Sequence, residues 1–151
     1  ILIASHWVAG QQAQFRRVAR LGDGYIGISD YPNEYAKVGQ KIADYAAEND
    51  KDFDNMEAAF YMTVNLDPDE DKAADEADRY LSMYYGANIW GDRWGPFGPA
   101  HLTVNRIRRY AEAGAGTFVI RFASFEQEKQ LEIFLKEVVP LMSHHYRVES
   151  A

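Results

Sequence analysis

The sequence predicts an α/β fold in which parallel strands alternate with helices, as in one half of a (β/α)8 TIM barrel. Short strand-like runs alternate with amphipathic helical segments, and strands joined through helices run parallel. The run from 55 to 66 has an unbroken apolar centre, which indicates a strand buried on both faces, as in a parallel sheet. Four strand–helix units fit a chain of 151 residues, since a complete barrel takes about 250 residues.

A small open doubly wound sheet is the competing architecture. Its nucleotide-binding form requires a glycine-rich fingerprint that follows a strand and opens a helix. The segment Gly22-Asp23-Gly24 precedes a strand instead. The sequence therefore excludes the nucleotide-binding form and leaves an open sheet as an alternative.

The first half of the chain contains two predicted strands and two predicted helices. The first strand covers 2–9, and the short helix after it ends at a glycine turn near Gly22. The second strand covers 24–28. Pro32 then stands in the first turn of a helix that continues to about Asn49. The apolar positions that define these helices are Phe15, Val18, Ala19, Tyr35, Val38, Ile42 and Tyr45.

The second half contains two more strands, three helices and a long loop. The third strand covers 56–66, and the helix after it begins within Asp67-Pro68-Asp69-Glu70, which supplies a capping aspartate. A loop rich in Trp, Gly and Pro covers 86–100, before a helix that ends at Gly114. The remaining elements are a fourth strand at 117–122 and a last helix at 127–142 that buries Leu131, Phe134, Leu135 and Val138. We expect residues 1–142 to form the half barrel and 143–151 to form an irregular tail.

The composition excludes several classes of protein. Lys and Arg total 16 against 23 Asp and Glu, and the net charge of −7 without a basic stripe argues against nucleic-acid binding. There are no cysteines and no pattern of metal-ligand spacing. No apolar run reaches the ~18 residues of a membrane span, and no signal peptide is recognisable. We expect a cytoplasmic protein that binds neither nucleic acid, nor membrane, nor a metal ion.

The chain begins within an apolar run, Ile1 to Val8, rather than with a methionine and a polar terminus. We therefore expect it to be the second part of a longer fold whose first part precedes Ile1. The alternative is a protein whose first strand is simply terminal.

Several segments, in order along the chain, carry a resemblance to a known family. They are Trp7-Val8-Ala9-Gly10, Phe15-Arg16-Arg17-Val18-Ala19-Arg20, Leu21-Gly22-Asp23-Gly24-Tyr25, Gly98-Pro99, Ile107-Arg108-Arg109-Tyr110-Ala111-Glu112-Ala113-Gly114 and Thr117-Phe118-Val119-Ile120-Arg121-Phe122. Together they resemble the luciferase-like monooxygenases over roughly residues 5–142. The resemblance implies strands five to eight of a TIM barrel, with strands one to four absent.

The resemblance implies a flavin-dependent oxidoreductase, and three interpretations of its function follow. The first is a monooxygenase that oxidises a small organic molecule with reduced FMN and oxygen. The second is F420-dependent hydride transfer on the same fold. The third, from another class, is a non-catalytic half barrel that binds or assembles with another chain. Active-site bases in the family come largely from the N-terminal half of the barrel, so no catalytic residue is assigned here.

Gly10, Gln11 and Gln12 are the candidate cofactor-binding residues. They follow the first strand and open a helix, where free backbone N–H groups and the positive end of the helix dipole suit a phosphate. The resemblance implies the same role, since the family holds the flavin phosphate at this place. The alternative is a plain turn between strand and helix.

Trp90, Trp94 and Arg121 are the candidate substrate or lid residues. The two tryptophans lie in the loop at 86–100, where they either form a hydrophobic lid over the barrel mouth or pack that loop. Arg121 is the only charge within the fourth strand, and an isolated arginine is rarely buried without a partner. It either contacts cofactor or substrate, or pairs with an acid such as Glu57.

Half a barrel leaves two strand edges and the barrel interior uncovered. We expect Val8, Ile26, Phe60, Met62 and Val119 to contribute to that interior. Leaving several such side chains in water costs about 1.5–3 kcal/mol each, comparable in sum with a domain's stability of about 5–15 kcal/mol. We therefore expect another chain or a second copy to cover the face that contains the first and fourth strands.

Overall fold

A computed structural model describes residues 1–7, 12–89 and 91–143 of the chain. The chain divides into two compact units. The first unit comprises Ile1–Met62 and Arg108–Val119, and the second comprises Thr63–Ile107 and Ile120–Ala151. Strands and helices alternate through both units, as the sequence predicts.

Within the described residues, five strands alternate with helices. The strands are β1 (Leu2–Ala4), β2 (Gly24–Ile28), β3 (Glu57–Leu66), β4 (Phe97–Gly98) and β5 (Thr117–Phe122). The helices are α1 (Gln12–Leu21), α2 (Pro32–Ala47), α3 (Glu70–Tyr85), α4 (Ala100–Glu112), α5 (Gln127–Ile133) and α6 (Val139–Ser143). A π-helical turn, Phe134–Val138, joins α5 to α6, so the last helix is continuous.

The sheet is parallel. β1 pairs with β2, β2 pairs with β3, and β4 pairs with the carboxyl end of β3. β5 also pairs with β3, and the backbone hydrogen bonds from Gly116 N to Ala58 O and from Ala123 N to Val64 O advance along both strands in the same direction. The predicted parallel α/β sheet of a half barrel is confirmed.

Two strands differ from the sequence prediction. β1 is shorter than the predicted 2–9, because Ser5 N makes a last bond to Ile26 O and residues 5–7 then leave the strand conformation. β4 lies within the predicted loop at 86–100. A two-residue strand that includes Gly98 at a φ of 137° carries no strand pattern, so the sequence could not reveal it.

The last helix buries a different face from the one predicted. Val138 is fully buried as expected, but Leu131 and Leu135 are 48% and 55% exposed. Gln130 is buried instead, because its amide bonds to the backbone of Leu66. The inward side of this helix therefore combines the buried amide of Gln130 with the apolar side chain of Val138.

The core of the first unit is aromatic. Phe60 stacks on Tyr110 at a centroid distance of 3.8 Å and meets Tyr35 edge-on at 5.4 Å. Tyr35 also packs against Tyr25, and all four rings are buried. The expectation that Phe60 would face the barrel interior is therefore wrong, since its ring packs against the helices.

None of the helices within the described ranges is long and apolar enough to cross a membrane. The predicted tail, 143–151, lies outside the described residues apart from Ser143, which ends α6. The proposed boundary at residue 142 stays a prediction.

Candidate functional site

The candidate phosphate segment is described only at its last residue. Gly10 and Gln11 lie outside the described residues, whereas Gln12 is the first residue of α1. Its side-chain Oε1 accepts a hydrogen bond of 2.7 Å from the Tyr45 hydroxyl, and its backbone N–H lies in the first turn of α1, where N–H groups have no partner within the helix. The role of the segment in cofactor binding stays a prediction.

His6 and Trp7, the last described residues before α1, are held by side chains from elsewhere in the first unit. Trp7 N donates to Asp30 Oδ1 at 3.0 Å. His6 N donates to Gln14 Oε1 at 3.2 Å, and Gln14 Nε2 donates back to His6 O at 3.0 Å. The His6 ring lies with Nδ1 3.2 Å from Ile28 O, which requires a proton on Nδ1. These contacts give His6 a structural role in holding the chain ahead of α1.

Asp30 lies two residues after the end of β2 and is only 3% exposed. The preceding residue, Ser29, has a φ of 60°, a left-handed conformation that turns the chain sharply as the strand ends. The Tyr110 hydroxyl donates to the backbone oxygen of Asp30. A buried carboxylate beside a left-handed residue at the carboxyl end of a barrel strand is a feature typical of functional positions.

Arg121 lies in the second unit, one residue before the end of β5. Its guanidinium donates to the Tyr85 hydroxyl at 2.7 Å and to Thr63 Oγ1 at 2.9 Å. Its Cζ lies 4.2 Å from the ring centroid of Trp94 and 5.4 Å from that of Tyr85. These contacts fix the plane of the guanidinium against aromatic rings.

The alternative pairing of Arg121 with Glu57 is wrong. Glu57 accepts a hydrogen bond from the Thr117 hydroxyl, at the amino end of β5. Arg121 is four residues further along β5 than Thr117, which is a distance of about 13 Å between their Cα atoms. Arg121 therefore reaches hydroxyl groups and rings near the carboxyl end of the sheet, while Glu57 lies near the other end.

Trp94 is packed into the second unit and is 7% exposed. Its ring joins a cluster with Ala77, Leu81 and Ala123. Within the described residues, its indole Nε1 is buried without a hydrogen-bond acceptor. The packing interpretation of Trp94 fits this burial. The role of Trp94 at a lid or substrate site stays a prediction, and Trp90 lies outside the described residues.

A polar network, which sequence reasoning missed, joins α3 to the carboxyl ends of β3 and β5. The Glu76 carboxylate accepts hydrogen bonds from Asn65 Nδ2 at 2.8 Å, Ser124 Oγ at 2.8 Å and Phe125 N at 3.1 Å. Partial burial raises the pKa of Glu76, but these hydrogen bonds together outweigh burial and hold that pKa below its usual value. Asn65, a polar residue inside an apolar strand, was the available signal for this network.

The guanidinium of Arg121 and the aromatic rings beside it suit a ligand that has an anionic group and a flat ring. A guanidinium held in a fixed plane binds carboxylate or phosphate, and flat rings beside it suit a planar heterocycle. The unpaired indole N–H of Trp94 adds a buried donor that a ligand oxygen would satisfy. The residues present therefore fit a flavin-type cofactor or an anionic substrate.

We compared the chain with known protein families and with proteins of known function. No family model matches the chain. It is 26% identical over 157 residues to the F420-dependent glucose-6-phosphate dehydrogenase of Kribbella flavida, covering 89% of this chain and 47% of that protein.

Two solved structures represent the structural neighbours. An F420-dependent secondary alcohol dehydrogenase, in complex with an F420-acetone adduct, superposes with a TM-score of 0.71 at 20% identity over 87% of this chain and 46% of that one. EDTA monooxygenase from Chelativorans sp. BNC1 superposes with a TM-score of 0.69 at 13% identity over 96% of this chain and 44% of that one.

The chain spans about half the length of each of these proteins. They include both F420-dependent enzymes and a monooxygenase, the two groups that the resemblance implied. The chain therefore has the fold of half a TIM barrel, and it is similar in fold to about half of each of these enzymes.

Proposed function

We propose that this chain is part of an oxidoreductase that uses a flavin-type cofactor to transform a small organic molecule. The observation that carries the proposal is the parallel half barrel, because the neighbours that share it over 87% and 96% of this chain include an F420-dependent secondary alcohol dehydrogenase and EDTA monooxygenase. Enzymes of this kind place their chemistry at the carboxyl ends of barrel strands. Arg121 and Asp30 lie at such ends in this chain.

The cofactor, when bound, supplies the redox chemistry, and the protein supplies binding, orientation and exclusion of water. The start of α1 would hold the phosphate through Gly10, Gln11 and the backbone of Gln12. Arg121 would hold an anionic group of cofactor or substrate, with its plane fixed by Thr63 and Tyr85. Trp94 and its neighbours would exclude water from the reacting atoms.

Two cofactors are candidates. The first is FMN, whose reduced form would react with oxygen in a monooxygenase. The alternative is F420 in oxygen-independent hydride transfer, and the curated relative and the alcohol dehydrogenase named above favour keeping it. A cytoplasmic location stays a prediction of the sequence.

The test uses the full-length protein that contains this chain, titrated with FMN and with F420 and followed by the absorbance and fluorescence of each cofactor. We expect saturable binding of one of them, and oxygen consumption with substrate only if that one is reduced FMN. Binding of neither would overturn the proposal and favour the non-catalytic half barrel.

We also propose that another chain segment or a second copy covers the open face of the first unit. Leu2 of β1 and Val119 of β5 are 40% and 39% exposed, although both belong to strands of one sheet. Exposed apolar side chains on strands mark surfaces that bind other protein. Sedimentation of the 151-residue chain should show a dimer that Val119→Asp weakens. A stable monomer, unchanged by that substitution, would contradict this covering.

A further inference from the structure

A cleft of about 520 Å³ lies between α1 and the carboxyl end of α2, within the first unit. Arg16, Arg17 and Arg20 line it from α1, and Glu48 and Asn49 line it from the residues that follow α2. Sites for small molecules have volumes of about 300–1,000 Å³, so the cleft is large enough for one. None of these residues takes part in the oxidoreductase chemistry proposed above.

The three arginines project from one face of α1. Positions 13, 16, 17 and 20 are three or four residues apart, so their side chains are neighbours on the helix surface. Ala13 is the smallest of the four and leaves room beside the guanidinium groups. The helix therefore brings the three positive charges together on the side that faces the cleft.

The charges on this face are only partly balanced. Arg16 Nη1 lies 3.7 Å from Glu48 Oε2, and its Cζ lies 4.2 Å from the ring centroid of Tyr45. Within the residues that the structure describes, Arg17 and Arg20 have no carboxylate at ion-pair distance. α1 itself contains no acidic residue, although the whole chain has a net charge of −7.

An unbalanced cluster of this kind opposes the helix that carries it. Like charges three or four residues apart on a helix destabilise it, and the pair Arg17 and Arg20 is spaced in this way. A bound anion would remove that repulsion. The cluster is therefore better explained by a ligand than by the stability of α1.

The residue type indicates the chemistry of the anion. The planar guanidinium presents a fork of N–H donors that binds phosphate through two parallel hydrogen bonds. Two unbalanced guanidinium groups suit two adjoining phosphate groups, one for each. Glu48 already balances Arg16 and would repel a further anionic group at that side of the cleft.

We propose that this cleft binds a diphosphate group through Arg17 and Arg20. The inference does not rest on the proposed function, because it uses neither the candidate cofactor residues nor the candidate substrate residues. Two sources share this chemistry, namely free pyrophosphate and an organic diphosphate such as a nucleoside diphosphate.

The test is calorimetric titration of the full-length protein with inorganic pyrophosphate, in the wild type and in Arg17→Gln/Arg20→Gln. We expect saturable binding to the wild type and a loss of affinity of at least tenfold, or about 1.4 kcal/mol, in the double variant, because hydrogen bonds to charged groups are lost. The midpoint of thermal unfolding should not fall, since a repulsion is removed. Absence of saturable binding to the wild type, or equal affinities of both proteins, would overturn the proposal.

Arg79→Gln/Arg109→Gln is the matched control. It removes two exposed arginines from α3 and α4, so it changes the net charge by the same amount. At a salt concentration of about 0.15 M, charges more than about 8 Å from the ligand are largely screened. We expect this control to change the affinity for pyrophosphate less than twofold. An equal loss in both double variants would show an effect of net charge alone and contradict the site.

Titrations with other ligands identify the source and the place of binding. If ADP binds as tightly as pyrophosphate, the site accepts an organic diphosphate, and if only pyrophosphate binds, the free anion is the ligand. Inorganic phosphate that binds as tightly as pyrophosphate would contradict recognition of a diphosphate group. Displacement of pyrophosphate by FMN or F420 would place it at the cofactor site and overturn the proposal.

Discussion

The two ends of β3 are built differently. Near its amino end, Phe60 is surrounded by aromatic rings from α2 and α4 in the first unit. At its carboxyl end, Asn65 is surrounded by polar groups in the second unit, among them Glu76 and Gln130. The same strand therefore changes from apolar packing to hydrogen bonding within five residues, counted along the sequence.

This difference follows the division of labour in barrels. Residues at the amino ends of barrel strands serve stability, whereas those at the carboxyl ends serve the site. Apolar packing does not depend on pH, but it has little directional preference. A hydrogen-bonded network is weaker per group and fixes geometry more closely. The hydrogen bonds at the carboxyl end of β3 therefore fix the position of α3 relative to that strand.

The largest expected effect is at the amino end. Phe60→Ala should lower the free energy of unfolding by about 3–5 kcal/mol, because it leaves a cavity among buried rings. Phe125→Ala is the matched control, since Phe125 is exposed and should cost below about 1 kcal/mol. Urea unfolding of the two variants measures both values. Equal losses would show that the aromatic core is not what stabilises the first unit.

A smaller effect is expected at the carboxyl end. Glu76→Gln should cost about 1–3 kcal/mol, because an amide cannot accept all three hydrogen bonds that the carboxylate receives. Glu132→Gln changes an exposed acid that pairs with Lys136, and should be nearly neutral. Unfolding curves of both variants at neutral pH test the difference. If Glu76→Gln leaves the free energy of unfolding unchanged, the hydrogen bonds of Glu76 do not stabilise the carboxyl end of β3.

The pH dependence of stability separates the two ends further. Hydrogen bonds lower the pKa of Glu76 below that in the unfolded chain, so its contribution is complete above the unfolded pKa and is lost as pH falls through the folded pKa. The difference in stability between wild type and Glu76→Gln should therefore shrink in acid. The penalty of Phe60→Ala should not. A Glu76→Gln penalty that persists through acid unfolding would contradict this assignment.

The smallest effect on stability is expected at Arg121. Arg121→Met keeps an apolar chain beside Trp94, so it should change the midpoint of unfolding little. It should weaken binding of the cofactor or of an anionic substrate about tenfold, or about 1.4 kcal/mol, because the charged donor is lost. Arg79→Met, with Arg79 Cζ 5.8 Å from the Phe125 centroid, is the control and should leave binding unchanged. Equal effects of both substitutions on ligand titration would exclude a binding role for Arg121.

The sequence was sufficient for the fold class because periodicity and strand–helix order are local properties. The helix positions Tyr35, Val38 and Ile42 are buried as predicted. The burial of Phe60 was predicted too, but its direction was not, since a strand that is apolar on both faces gives no alternation. Which face meets the helices depends on the register with β2, a property of two distant segments.

The polar contacts were harder to predict from the sequence. Asp30 and Gln14 are ordinary letters in the sequence, and only the fold brings them to Trp7 and His6. The same holds for Gln130, whose burial in place of Leu131 depends on a backbone group 64 residues away. Apolar periodicity predicts what is buried on average, whereas a buried amide must be matched to a particular partner.

The amide of Gln130 does for β3 what a neighbouring strand does elsewhere. Its Oε1 accepts from Leu66 N at 2.7 Å and its Nε2 donates to Leu66 O at 3.0 Å, a two-point pairing like that of one backbone unit with another. β5 ends at Phe122, so it offers Leu66 no backbone partner. The side chain of Gln130 supplies the two hydrogen bonds instead. The Leu66 amide, at the last residue of its strand, should therefore exchange with deuterium as slowly as amides in the middle of β3.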